Sequence, residues 1–515
     1  MHRRRDSTLS FSLLFILITG LGLILRLYRL AANQLWLDEV HSIFVAGSSL
    51  SDILNNLKND GHPPLYFILM LAWKSAFGES ELSVRALSVM LGMASLVAVC
   101  WLGSILVSKR IGLTGMFIAS ITPLHIYYSQ EARMYILLAL LTTLSAGFLW
   151  LALEHPARKR YWGAYALVSI CMIYTHVLGW FVLPVGILFA LLRKRSRQDV
   201  SRLLVYQGLV VIAFLPWAPL AIRQTEQAGQ WVHQWWASTP PLLAIPRALE
   251  CLGMGGSYPP YLRFSHVSPV RPISYIVFTL VGVIALVGYR DGSVSKGSRG
   301  MGAARLYLLL NLFVPIALPY AISFIKPIYL VGRSDLFVQP FYALLIAIGL
   351  MKMARFAWVG IAAVSLLACF SLSRYYTIPT AAVDKETVHH LATAAEKNDV
   401  VVVTGLRLLP IEYYLRRSGL SFQIIAYPDS MREHPGWLDY RQTDDELTQD
   451  AVSVAVASIT QTRPGRPVWL LVLPFDSLNQ IPSDRFELPL LEQFERHFMI
   501  LSADENLGII RFKQK

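Results

Sequence analysis

Charge is scarce in this chain. Of 515 residues, 15% are Asp, Glu, Lys or Arg and 55% are hydrophobic. Soluble domains carry about 25% charged residues, so a water-soluble globular protein is excluded over most of the length. Cysteine is also scarce: Cys100, Cys171, Cys251 and Cys369 are scattered without a CxxC spacing. That excludes a disulfide framework and a cysteine-held metal. There is no Asn-x-Ser/Thr acceptor, which favours a bacterial inner membrane over an endoplasmic reticulum setting. No glycine-rich phosphate loop is present beyond a bare Thr404-Gly405 after an apolar run, so a nucleotide site is not expected. No internal repeat of the transporter kind is visible. No small-x-small cleavage site follows the apolar run that starts at Phe11 and continues to Leu30, so the first segment reads as an uncleaved helix.

Long apolar runs are abundant. The candidate spans are about 10–30, 84–107, 111–128, 133–153, 161–176, 178–192, 203–221, 272–289, 305–325, 334–351 and 356–373, about eleven in all. Basic clusters recur at alternate ends of these runs: Arg3-Arg4-Arg5, Lys109-Arg110, Arg158-Lys159-Arg160, Arg193-Lys194-Arg195, Arg290 through Arg305, and Lys352 with Arg355. The positive-inside rule places all of them in the cytoplasm with the N-terminus. Residues 62–77 are apolar but short for a span, and counting them as one would invert every later loop. They are expected to form an interfacial or re-entrant helix in the first outer loop.

Charge also divides the chain. Residues 1–374 hold 32 basic and 14 acidic residues, whereas 375–515 hold 14 and 19. The expected fold is an all-α polytopic membrane helical bundle over 1–374 with a small extracytoplasmic α/β domain over 375–515. Strands are expected at Val400–Thr404, Gln423–Tyr427, Val468–Leu473 and Gly508–Phe512, with helices at Pro410–Arg417 and Asp445–Thr460. The membrane part carries +18 and the C-terminal part −5, so the overall +13 comes from the membrane part and nucleic acid is not needed to explain it.

This topology gathers the chemistry on the outer side. Asp38-Glu39 directly follows the first span. One acid is explained by capping the helix that follows; two suggest a general base and a neighbour that orients it. Tyr127-Tyr128-Ser129-Gln130-Glu131-Ala132-Arg133-Met134-Tyr135 joins two spans. There Arg133 either pairs with Glu131 or holds a phosphate through its planar fork. His62 precedes two prolines, and His176 lies in Tyr174-Thr175-His176. Each is a snorkelling polar residue or, with Asp38 or Glu131, a ligand of a divalent metal; that spacing is not diagnostic. Trp231, His233, Trp235 and Trp236 are belt aromatics or a sugar-stacking surface. Lys326 and Arg333 mark another basic outer boundary.

These pieces, in this order, resemble the C-type membrane glycosyltransferases, closest to the protein O-mannosyltransferase and lipid A aminoarabinose transferase group. The matching stretches are Trp36-Leu37-Asp38-Glu39, His62-Pro63-Pro64-Leu65, Val84-Arg85-Ala86-Leu87-Ser88, Ser129 to Tyr135, Tyr174-Thr175-His176 and Leu215-Pro216-Trp217. The resemblance covers about 30–220, and the C-terminal part carries no matching motif. It implies about eleven to thirteen helices with juxtamembrane helices in the first outer loop. It also implies a polyprenyl-phosphate sugar donor and an acceptor hydroxyl on a glycan, lipid or protein. Asp38 would be the catalytic carboxylate with Glu39 beside it. Arg133, Glu131, His62, Tyr135, Arg85 and Arg333 would serve the donor phosphate. No cofactor is certain; a divalent metal ion is possible, with His176 and Glu131 the residues to consider for it. Many relatives have an Arg-Tyr pair before the late helix where this chain reads Gly332-Arg333-Ser334-Asp335. The competing readings are a lipid-linked oligosaccharide ligase or polymerase, which shares the donor, and a transporter.

Overall fold

The structure is a computed structural model of the full chain. It describes residues 2–223, 241–254, 271–287, 296–333, 335–377, 382–396, 399–432, 448–462, 466–472 and 484–515. Trp231, His233, Trp235, Trp236 and Ser334 lie outside them.

Two compact units are present. The first comprises Met1–Leu30 and Ser48–Ile378, and the second comprises Ala31–Gly47 and Pro379–Lys515. In chain order the helices up to the second boundary are α1 (His2–Leu27), α2 (Leu37–Ala46), α3 (Leu50–Asn56), α4 (Leu65–Phe77), α5 (Glu81–Leu106), α6 (Lys109–Ile121), α7 (Pro123–Ser129), α8 (Tyr135–Glu154), α9 (Lys159–Ile173), α10 (Leu183–Leu192), α11 (Arg197–Phe214), α12 (Pro241–Met254), α13 (Arg271–Leu286), α14 (Lys296–Ile322), α15 (Gln339–Lys352) and α16 (Ala357–Thr377). All but α2 belong to the first unit.

This is an integral membrane protein of the helical kind. Among the described residues five helices are long and apolar enough to cross a bilayer: α5, α8, and the segments Ser10–Leu27, Met301–Ile322 and Ala354–Thr377. A sixth span exists if α6 and α7, bent by 68°, count as one. The other expected spans fall on helices that are shorter or less apolar. The bend has a local cause. Pro123 is the first residue of α7 and lacks the N–H that would continue the α6 ladder. The expected span 161–176 ends at Ile173, leaving His176 in the turn that follows. The expected span 334–351 starts at Leu336, leaving Asp335 in the turn before it. Helix α4 has 13 residues, as a juxtamembrane helix would.

The packing of the first unit rests on small residues, since lipid gives no hydrophobic drive for helices to associate. Helix α5 packs on α6 and α8, and α15 packs on α6. A Cβ on Gly112 would lie 2.3 Å from the Cys100 carbonyl oxygen, so α5 and α6 approach nearly backbone to backbone. A Cβ on Gly92 would lie 2.3 Å from Ser129 Oγ, which brings α7 equally close to α5.

The second unit is an α/β domain. Its helices are α17 (Asp384–Ala394), α18 (Leu408–Arg417), α19 (Gln449–Thr462) and α20 (Asp484–His497). Its strands are β1 (Val400–Thr404), β2 (Gln423–Tyr427), β3 (Val468–Leu471), β4 (Phe498–Asp504) and β5 (Ile509–Gln514), in the order β2-β1-β3-β5-β4. The β2-β1-β3 half is parallel; β5 and β4 are antiparallel. Every residue of β1 is buried, as expected of a parallel strand covered on both faces. Strand β4 was not expected from the sequence. The C-terminal boundary falls at Ile378, but Ala31–Gly47, grouped by sequence with the membrane part, clusters with this domain. Helix α2 packs on α18 within it.

Candidate active site

In the first unit, several turns converge on one polar constellation. The turn before α4 places His62 Nδ1 2.7 Å from Asp60 Oδ1. The Leu65 N–H donates to the Tyr174 carbonyl at 3.0 Å, tying the His62-Pro63-Pro64 turn to the Tyr174-Thr175-His176 turn. As a result the His62 and His176 rings are 5.5 Å apart. The Tyr135 ring lies 5.7 Å from His176 and 4.9 Å from Tyr128. Arg333 Nε donates to the Tyr135 hydroxyl at 2.5 Å.

The tautomer of His176 follows from its backbone contact. Its Nδ1 accepts the Leu178 N–H at 3.1 Å, and an amide can only donate. The proton of the neutral ring is therefore on Nε2. Burial, followed by the charges of His62, Arg133 and Arg333, holds the imidazole well below its ordinary range. His176 is thus a neutral ring presenting an N–H. Among the described residues no group of three His, Cys, Asp or Glu side chains could hold a metal ion.

Arg333 owes its position to a clamp. Gly332 has φ +82°, a left-handed conformation that a glycine adopts without strain. Asp335 accepts the Tyr329 O–H at 2.6 Å and the Gly332 N–H at 2.7 Å. Burial raises the Asp335 carboxyl to about 6, against the opposing effect of these two hydrogen bonds. Arg333 thus bonds Tyr135, which comes from a different part of the chain.

The segment Ser129–Tyr135 is anchored from below by a residue the sequence reading did not select. Arg26, fully buried, donates from Nε to Ser129 Oγ at 3.1 Å and from NH1 to the Gly22 and Ser120 carbonyls at 2.8 and 3.2 Å. Its NH2 lies 2.8 Å from His125 Nδ1. Gln130 Nε2 donates to the carbonyls of Arg26 and Tyr28, and the Tyr375 hydroxyl donates to Gln130 Oε1. Arg133 and Glu131 are both buried at the end of this segment, and the charge of Arg133 reaches His176. Arg85, by contrast, donates to the Leu30 carbonyl at 2.9 Å, which closes the chain after α1.

In the second unit, Asp38 and Glu39 open α2. They differ in environment. Glu39 is buried, and its Oε2 accepts the Trp36 N–H at 3.3 Å, a reach-back that caps the helix. Asp38 is half-buried in the first helical turn, where the helix dipole favours the anion. The pair therefore divides its labour: Glu39 shapes the turn, and Asp38 is the carboxylate more open to solvent.

The fold is similar to those of two solved proteins that share 12–13% of their residues with this chain. Over 97% of both chains it matches ArnT from Cupriavidus metallidurans, solved bound to undecaprenyl phosphate, with a TM-score of 0.58 and 13% identity. It also matches the archaeal oligosaccharyltransferase AglB from Archaeoglobus fulgidus, in complex with an inhibitory peptide and a dolichol-phosphate. That match has a TM-score of 0.55 and 12% identity and covers 99% of this chain and 74% of AglB. In sequence, residues 61–222 match the dolichyl-phosphate-mannose-protein mannosyltransferase family. An uncharacterised protein from Aquifex aeolicus is 28% identical over 213 residues, which span 39% of this chain and 42% of that protein. The resemblance read from the motifs thus holds in sequence over 61–222 and in fold.

Proposed function

We propose that this chain is an integral membrane glycosyltransferase that moves a sugar from a polyprenyl-phosphate donor to an acceptor hydroxyl on the outer face of a bacterial inner membrane. The observation that carries the proposal is the constellation of His176, Arg333, Tyr135 and Arg133. A neutral N–H, a phenol and guanidinium groups are gathered in a buried setting. A phosphate offers only acceptors, so donors gathered at a membrane protein's turns suit a lipid phosphate. The family matched over 61–222 is described by a dolichyl-phosphate-mannose donor, which puts hexoses ahead of pentoses.

The reaction needs two things. The acceptor hydroxyl must lose its proton as its oxygen attacks the anomeric carbon, and the phosphate must take up the electron pair of the breaking C–O bond. Asp38 takes the proton. Arg133 and Arg333 offset the charge that grows on the departing polyprenyl phosphate, and His176 Nε2–H donates to it.

Transfer by purified protein in vesicles made from native membrane lipids tests this. Radiolabelled polyprenyl-phosphate hexoses should serve as donors, and nucleotide sugars should not. Transfer from a nucleotide sugar, or none from any polyprenyl-phosphate sugar, would overturn the proposal.

A further inference from the structure

We infer that the C-terminal α/β domain is the holder of the acidic loop, with Tyr414 and Gln34 as positioning residues for Asp38. The inference rests on the reading of Asp38 as the base and adds a role for the domain whose sequence carries no motif.

The contacts are reciprocal. From the domain to the loop, the Tyr414 hydroxyl accepts the Leu35 N–H at 2.7 Å. From the loop to the domain, Gln34 Oε1 accepts the Lys385 N–H at 2.5 Å. The second bond answers a need of α17. The first N–H groups of a helix lack intrahelical partners, and the N-cap of α17 is Val383, whose side chain cannot accept. The acid at the start of α17 is committed elsewhere, since Asp384 accepts Arg407 Nε at 2.8 Å. Gln34 therefore serves as the missing cap, supplied from about 350 residues away in sequence.

Apolar packing completes the hold. Leu35, Val40, Ile43 and Ala46 are all buried, and α2 packs on α18, the helix that carries Tyr414. A ten-residue helix such as α2 is marginal on its own and needs such a support. The two anchored residues lie immediately before Trp36, whose N–H is bonded by Glu39. Together these contacts fix the start of α2 and with it the direction of Asp38.

The test uses the full-length protein in vesicles, with Tyr414→Phe, Gln34→Met and Gln34→Glu beside Asp38→Asn. Hydrogen exchange should show residues 31–47 losing protection by about ten-fold or more in Tyr414→Phe and Gln34→Met, with α8 unchanged. In transfer assays with a radiolabelled polyprenyl-phosphate hexose, both variants should lose roughly ten-fold or more in kcat with donor KM unchanged. Gln34→Glu keeps an acceptor for the Lys385 N–H and should restore both. Unchanged protection of 31–47 overturns the inference. So does a wild-type kcat in Tyr414→Phe and Gln34→Met while Asp38→Asn is inactive, or a Gln34→Glu as impaired as Gln34→Met. An active Asp38→Asn removes the catalytic reading of Asp38 and the inference with it, whereas the three results above leave that reading standing.

Discussion

At the scale of single residues, the site is built from groups whose roles are set by their partners. Arg333 is held by the Tyr135 hydroxyl and presented by the turn that Asp335 fastens. If it binds the donor phosphate through its fork, Arg333→Lys should raise donor KM about ten-fold although the charge is kept, because an ammonium cannot reproduce two parallel bonds. The check is steady-state kinetics at varied donor; an unchanged KM would reduce Arg333 to a packing role. Asp335 gives a second prediction. Its folded-state value of about 6 lies above the ordinary 3.8. A carboxyl shifted upward contributes stability that is full below its unfolded value and is lost as pH rises through the folded one. Asp335→Asn cannot ionise, so its melting temperature should change less than that of the wild type between pH 4 and 7. An equal slope in melts across that range would contradict the assignment.

At the scale of elements, most of the membrane helices were legible because apolar length and basic ends are direct physical requirements of a bilayer. The bend between α6 and α7 was not expected, although Pro123 stands in the sequence as its cause. Arg26 was passed over because a lone arginine in an apolar run shows its partners only once α6 and α7 are folded against it. Strand β4 was missed because it has no apolar face: Met499, Ile500 and Leu501 are consecutive and all exposed, so the period-two signal of a strand is absent. The grouping of 31–47 with the C-terminal domain was hidden for a different reason. Leu35 and Tyr414 are 379 residues apart, beyond any local pattern. In the site, His62, Arg133, His176 and Arg333 were selected from sequence and do converge. Asp60 and Asp335 are not legible there, since each acts through a neighbour that only the fold supplies; in the second unit the same holds for Tyr414. The α5–α7 contact can be tested at Gly92. A Cβ there meets Ser129 Oγ at 2.3 Å and Ser129 Cβ at 2.8 Å, so Gly92→Ala should destabilise by about 1–3 kcal/mol. Thermal unfolding in detergent should show this; an unchanged midpoint would mean the two helices part without cost.

At the scale of the whole molecule, the first unit is a membrane bundle, and the second is an α/β domain that includes the acidic segment 31–47. Orientation is the first requirement. The positive-inside rule predicts cytoplasmic basic clusters, and cysteine labelling should then find position 295 cytoplasmic and position 440 outside. The same side for both would undo the outward-facing reaction. The central claim is that Asp38 is the base for sugar transfer from a lipid phosphate. Asp38→Asn keeps the size and a hydrogen-bond acceptor, so a capping role would survive it with a loss of about 1 kcal/mol or less. The amide cannot take a proton, so a general base would not survive it. The decisive measurement is single-turnover transfer from a radiolabelled polyprenyl-phosphate hexose by purified Asp38→Asn and wild-type protein of matched thermal stability. With Asp38 as the base, the rate should fall roughly 10²–10⁴-fold with donor binding retained; a rate near that of the wild type would contradict this role.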